Sequence, residues 1–190
     1  MRTKDDIKRE ALFEATVAVV NEIGFAASSV SRIARKAGVS PATLYVYHEN
    51  KEQLLISTYL AIKAGLGQAS LEGFNAKRPL RDILKTVWAN MFRHISRHPG
   101  HFQFTEQFAS SPYSDRVDKA EVERQFEPLM AVLQEGIRQK IIKDVPFEIL
   151  GAFLVHPILV LCNTRLCREF TVTGDHIEMA FAMSWDAIRR

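Results

Sequence analysis

The chain predicts an all-α fold: an N-terminal three-helix helix-turn-helix module, then a larger helical domain, about nine helices in total. Three observations carry this. Apolar residues recur at helical spacing from end to end. No stretch shows the sustained alternation and turn spacing of strands. Ser29 to Tyr47 reads as two short helices joined at Gly38, Val39 and Ser40. At 190 residues, 47% apolar and 25% charged, the chain can bury a sizeable core and is not a disordered or low-complexity polymer.

The elements follow in order. Thr3 caps a first helix whose opening turn carries Asp5 and Asp6 at the positive dipole end, with Leu12, Ala15, Val19 and Ile23 on one face and Gly24 as its stop. Ser29 caps a second helix through Ala37. Ser40 followed by Pro41 starts a third, and Asn50 with Gln53 has capping-box spacing for a fourth. A boundary near Lys51 therefore separates 1–50 from 51–190. Pro79 opens a fifth helix, Pro99 and Gly100 end it, and 101–110 forms a short one. A charged helix over roughly 115–140 follows, then an apolar helix over 147–166 kinked at Pro157. Asp175 and Glu178 have capping-box spacing before a last helix carrying Phe181 and Trp185.

Charge and motif content narrow the function classes. The net charge of +3 is too mild to announce a nucleic-acid partner by itself, although eight basic and six acidic residues fall in the first 51. The most apolar stretch, 147–161, contains Glu148 and His156 and is too short to cross a bilayer. The N-terminus is charged where a signal peptide needs an apolar run. A cytoplasmic protein with no membrane partner is expected. No nucleophile elbow, phosphate-binding glycine loop or zinc-protease motif occurs, so no catalytic residue, metal or cofactor is expected. His94, His98 and His101 have ligand-like spacing, but Pro99 and Gly100 interrupt it, and a solvated helix end is the reading. Cys162 and Cys167, five apart on one helix, fit neither a disulfide nor a shared zinc and read as small buried apolar groups.

Within the helix-turn-helix, Ile33, Ala34, Val39 and Leu44 are placed to pack between its helices. The third helix combines the hydrogen-bonding groups of Thr43, Tyr45, Tyr47 and His48 with the short apolar neighbours Ala42 and Val46. Hydroxyls and a helix N-terminus suit phosphates, and small apolar groups can meet thymine methyls in a major groove.

Gly24-Phe25, Ser29-Val30, Ile33-Ala34, Ala37 to Ser40, Thr43 to Tyr45, Tyr47 and Lys51 to Leu54 together resemble the N-terminal pattern of the TetR family of transcriptional regulators. His48 departs from it, since the family commonly has phenylalanine there. The resemblance implies that Ser29 and Ser31 sit at DNA from the second helix. It implies that Thr43, Tyr45 and Tyr47 touch DNA from the recognition helix, that Lys51 reaches a phosphate, and that Pro41, Ala42 and Val46 face base edges. By analogy with basic arms, Arg2 and Lys4 reach along the adjacent backbone or minor groove. Double-stranded operator DNA, a homodimer and a small-molecule effector are the implied partners, with repression the expected sign.

Aromatics and methionines with isolated polar groups suit both a helical core and an apolar ligand cavity. The resemblance implies a cavity among helices four to eight, and Tyr59, Trp88, Met91, Phe92, Phe104, Phe108, Phe126, Met130, Phe153 and His156 are its expected lining. Glu106 among aromatics makes a cationic effector conceivable. The eighth helix is apolar on nearly all sides and implies a second partner. In the resembled family the last two helices form the dimer interface, so Leu161, Phe181 and Trp185 are expected there. The alternatives are a regulator controlled by a protein partner, and a small-molecule carrier or enzyme retaining the helical fold.

Overall fold

The computed structural model describes residues 3–163, 165–167 and 169–190. Among them are eleven α-helices, a 3-10 turn at Ser114–Arg116 and no strand; one isolated bridge joins Ile142 to Arg189. The helices are α1 (Lys4–Ala27), α2 (Val30–Lys36), α3 (Pro41–Tyr47), α4 (Lys51–Ser70), α5 (Leu80–Arg97), α6 (Pro99–Ala109), α7 (Lys119–Arg124), α8 (Glu127–Arg138), α9 (Phe147–Leu154), α10 (His156–Cys162) and α11 (Gly174–Ile188). No described helix is long and apolar enough to cross a membrane.

Local chemistry accounts for the boundaries. Thr3 and Asp6 form a reciprocal capping box at the start of α1. Gly24 interrupts α1 at φ 75°, ψ 169°, a backbone region essentially confined to glycine. Ser29 and Ser40 cap α2 and α3, and Gly38 turns between them at φ 69°. Before α4, Asn50 Oδ1 accepts from the Gln53 amide while Gln53 Oε1 accepts from that of Glu49. The cap of α11 is Thr173 paired with His176, in place of the expected Asp175 and Glu178.

Three expected helices are cut differently, each at a proline. Pro99 opens α6 at its first turn, where its missing N–H costs nothing. The charged stretch divides into the 3-10 turn, α7 and α8, with Pro128 in the first turn of α8. The apolar stretch divides at Val155: the Val155 amide closes α9 on Gly151 O at 2.8 Å, and Pro157 sits in the first turn of α10. Because α10 ends at Cys162, Cys167 is not on the same helix. Both thiols are half-buried, and burial pushes that of Cys162 up.

Contacts divide the chain into two compact units, Met1–Ala64 with His98–Val122, and Gly65–Arg97 with Glu123–Arg190. In the first, Leu12, Ala15 and Val19 of α1, Ile33 and Ala34 of α2, Leu44 of α3 and Leu54 of α4 form one core. A second cluster joins Val17, Val20, Leu55 and Ile62 to Phe104 and Phe108 of α6. In the second unit α5 buries Ile83, Leu84, Val87, Trp88, Met91, Phe92 and Ile95, and packs against α10 and α11. The buried residues of α11 are Phe181, Ser184, Trp185 and Ile188. Full burial of one such apolar side chain contributes about 1.5–3 kcal/mol, so these stripes fix how the helices meet.

Candidate functional site

The helix-turn-helix presents α3 on a rigid base. Leu44 is fully buried against Ile33 and Ala34, which turns the opposite side of α3 outward. There Tyr45 is 54% and Val46 76% exposed, beside exposed Pro41 and Ala42. A short helix that leaves a tyrosine ring and a valine in water has a surface shaped for a partner.

The polar candidates divide by their bonds. Ser31 is exposed on α2, while Ser29 is engaged as the α2 cap, accepting from the Arg32 amide at 3.3 Å. Thr43 pairs its hydroxyl with Ser40 Oγ at 3.0 Å and belongs to the cap of α3. Tyr47 donates its hydroxyl to Asp5 Oδ1 at 2.9 Å, with the Arg9 guanidinium 5.0 Å from its ring centre. Desolvation and then Asp5 raise the phenol's pKa. Lys51, expected to be free for a phosphate, donates from Nζ to Phe25 O at 2.6 Å, tying the start of α4 to the end of α1. Desolvation lowers its pKa. His48 caps the C-terminal end of α3 half-buried, its Nδ1 3.4 Å from Ser57 Oγ, and burial, then Arg9, pull its pKa below 6.5. Lys4 is exposed; Arg2 lies outside the described residues.

The expected cavity lining falls into both units. In the first, Phe104 and Phe108 are fully buried core, and half-buried Tyr59 stacks on Phe108 with centroids 4.2 Å apart. In the second, Met91 and Phe92 are buried, while Phe126 and Met130 are half-buried. Trp88 is 3% exposed; its Nε1–H donates to Leu154 O at 2.8 Å, and its ring meets Phe92 and Phe181. Its donor and these ring contacts thus serve the protomer's own core. Phe153 and His156 are exposed and line no interior. An open depression of about 380 Å³ in this unit is lined by Gln134, Ile137, Asp144, Val145, Pro146 and Phe147, none of them an expected lining residue.

Two sequence expectations change sign. Glu106 is exposed, whereas Lys63, unremarked in the sequence, has its Nζ 5.5 Å from the Tyr59 ring centre and a pKa lowered by desolvation. The basis for a cationic effector is thereby removed. Phe181 and Trp185, expected at a dimer interface, are 2% and 9% exposed within the protomer, because their stripe of α11 faces α5. Leu161 is half-buried. Among the described residues of α9, α10 and α11, the exposed large apolar side chains are instead Ile149 and Phe153 on α9, Val160 on α10, and Met179 and Met183 on α11. His101, read as part of a solvated helix end, is half-buried against the edge of Phe13, with Nε2 3.8 Å from Glu14.

Comparison with known proteins places this geometry. Residues 12–58 match the family of bacterial regulatory proteins, tetR family, and residues 79–189 match the tetracyclin repressor-like, C-terminal domain. A TetR family transcription regulator from Marinobacter aquaeolei VT8 is 39% identical in sequence and superposes with a TM-score of 0.92 over 100% of this chain and 99% of that one. HTH-type transcriptional regulator BetI of Rhizobium meliloti (strain 1021) is 34% identical over 89 residues, 47% of this chain and 44% of BetI. The matched stretch spans less than half the length of such curated relatives. FadR from Bacillus subtilis, solved in complex with stearoyl-CoA, shares the fold at 22% identity, with a TM-score of 0.73 over 92% of this chain and 95% of FadR. One family match lies on the helix-turn-helix and the other covers more than half the chain, so this protein belongs to the TetR family of transcriptional regulators.

Proposed function

We propose that the protein is a cytoplasmic, homodimeric repressor that binds a palindromic operator through 1–50 and senses a small apolar effector through 51–190. The observation that carries the DNA reading is the exposed face of α3, where Pro41, Ala42, Tyr45 and Val46 stand clear of a fully buried Leu44. Pro41, Ala42 and Val46 read base edges, and Tyr45 and Ser31 meet the backbone. Thr43, Ser29, Tyr47 and Lys51 hold the helices that present those groups; Tyr47 reaches a phosphate only by exchanging Asp5 for it.

A second copy covers Ile149, Phe153, Val160, Met179 and Met183. These side chains stand on α9, α10 and α11, of which α9 packs against both others, and they are apolar where a monomer would be polar. In the second unit Met91, Phe126 and Met130 are the proposed lining for an effector, and FadR, which shares the fold, is solved in complex with stearoyl-CoA. Ligand favouring a dimer whose recognition helices no longer match successive major grooves releases the operator.

Selection of bound fragments from genomic DNA, followed by a compound screen for release, tests this. A shared palindromic sequence among retained fragments, freed by an apolar compound, is the expected result. Retention of DNA without sequence preference overturns the repressor reading.

A further inference from the structure

The half-buried Lys63 ammonium has a ring beside it and no polar partner. Lys63 stands on α4 one turn after Tyr59, and a four-residue spacing puts both side chains on one face of that helix. The Tyr59 ring is held by its stack on fully buried Phe108, centroids 4.2 Å apart. Lys63 Nζ lies 5.5 Å from the centre of the Tyr59 ring, and it makes no hydrogen bond or ion pair among the described residues. The Tyr59 hydroxyl makes none either. Every fully enclosed side-chain nitrogen and oxygen among those residues has a hydrogen-bond partner, so these two atoms, having none, open onto space.

Both atoms are nevertheless short of water. Desolvation is the largest influence on each, lowering the pKa of the amine and raising that of the phenol. A lysine that only lays its stem on apolar surface keeps its head hydrated; this one does not. Glu106 on α6 is the acidic group that bears on the amine among the described residues, but it is exposed and forms no ion pair with it. Two donors, one of them charged and both poorly hydrated, suit an anion. A dianionic phosphate would face a single ammonium with Glu106 opposing it. A carboxylate matches that one charge, and its two oxygens can accept from Nζ and from the phenol. Half-buried Ile56, three residues before Tyr59 on the same face, and the Tyr59 ring itself supply apolar surface for the rest of such a ligand.

We infer that Lys63 and Tyr59 form a carboxylate-binding site, which makes the effector an organic acid: an apolar body carrying one negative charge. This rests on the effector reading above and names the effector's polar group. Lys63 supplies the charge and Tyr59 the second donor, while Phe108 holds the ring that carries it.

The test measures binding of octanoate, decanoate and phenylacetate to the full chain by isothermal titration calorimetry, each beside its neutral primary amide. The wild type should bind at least one acid about tenfold or more tighter than its amide, the share of a charged hydrogen bond. Lys63→Met should lose that preference while holding amide affinity within about twofold. Tyr59→Phe should lose part of it, and Lys63→Arg should keep it. If Lys63→Met does not fold, the same comparison with Tyr59→Phe decides. An acid preference that survives the substitution, or no preference in the wild type, overturns the site. Octyl phosphate bound more tightly than octanoate, with the difference lost in Lys63→Met, makes it a phosphate site and overturns the carboxylate assignment. Release of retained DNA, followed by fluorescence anisotropy, separates the site from the effector reading. Acids that bind through Lys63 without releasing DNA uphold the site and overturn the effector reading, whereas release by neutral compounds alone upholds that reading and overturns the site.

Discussion

Leu44 and Val46 stand two positions apart on α3, one fully buried and one 76% exposed, and substitution should separate stability from recognition. Leu44→Ala should cost about 2–5 kcal/mol as a core cavity, and it should weaken binding to every duplex alike. Val46→Ala should stay within about 0.5 kcal/mol of wild type yet change which sequences are retained. Urea midpoints paired with selection from a random pool check both.

His48 and His101 add a pH dependence. Burial lowers both pKa values below 6.5, with Arg9 adding to the effect at His48 and Glu14 opposing it at His101. As pH falls, the unfolded imidazoles protonate first, so stability is full above 6.5 and declines below it until the folded pKa values are passed. His48→Phe should shrink the loss of melting temperature between about pH 7.5 and pH 5.5, and an unchanged loss would place the acid sensitivity elsewhere.

Tyr47 and Lys51 mark where residue-level legibility stops. Their types suited phosphate contact, but their partners, Asp5 and the Phe25 carbonyl, lie 42 and 26 residues away in sequence. No local pattern encodes such pairs. Lys51→Ala should therefore lower stability by about 1 kcal/mol through the lost hydrogen bond, and it should leave the salt slope of DNA binding nearly unchanged.

Gly24 shows what an element owes to one backbone position. Its φ of 75° and ψ of 169° kink α1 so that Phe25 O accepts from Lys51 and the Phe25 ring meets Phe104 and Phe108. Open space surrounds the position where a Cβ would stand, so Gly24→Ala isolates backbone strain from crowding. It should cost about 1–3 kcal/mol, read as a lowered urea midpoint. The cut at Gly24 was legible because glycine punctuation is local. Those at Pro99, Pro128 and Pro157 were only partly so. A proline announces that an amide is missing, but whether the chain kinks, stops or begins a new helix depends on what the flanking turns pack against. At Val155 the amide closes on Gly151, and the side chains of Leu154 and Ile158 are both buried, so two short helices serve the core where one kinked helix was expected.

For the whole molecule, α11 separates two roles that its sequence ran together. Phe181 and Trp185 form an apolar stripe, and so do Met179 and Met183; only burial shows that the first faces α5 and the second faces outward. The sequence placed Phe181 and Trp185 on an amphipathic last helix and assigned that stripe to the dimer, but it did not show which of the two stripes is buried within the protomer, because they are offset by less than one turn. Charge substitution at each should therefore have opposite consequences. Phe181→Glu removes a buried ring from beside Trp88 and sets a carboxylate near the Arg81 guanidinium, which lies 5.7 Å from the Phe181 ring centre; the lost packing should still remove about 3–5 kcal/mol of folding stability. Met183→Glu should leave the monomer folded. At a two-fold interface each substitution occurs twice, and losing about 1.5–3 kcal/mol of apolar burial per side chain should raise the dimer dissociation constant by about 100-fold or more. Sedimentation equilibrium of Met183→Glu should then show folded monomer at concentrations where the wild type is dimeric, and affinity for a palindromic duplex should fall toward that of one half-site. If Met183→Glu stays dimeric and binds as wild type, the second copy sits elsewhere, and the exposed face of α9–α11 must serve another partner.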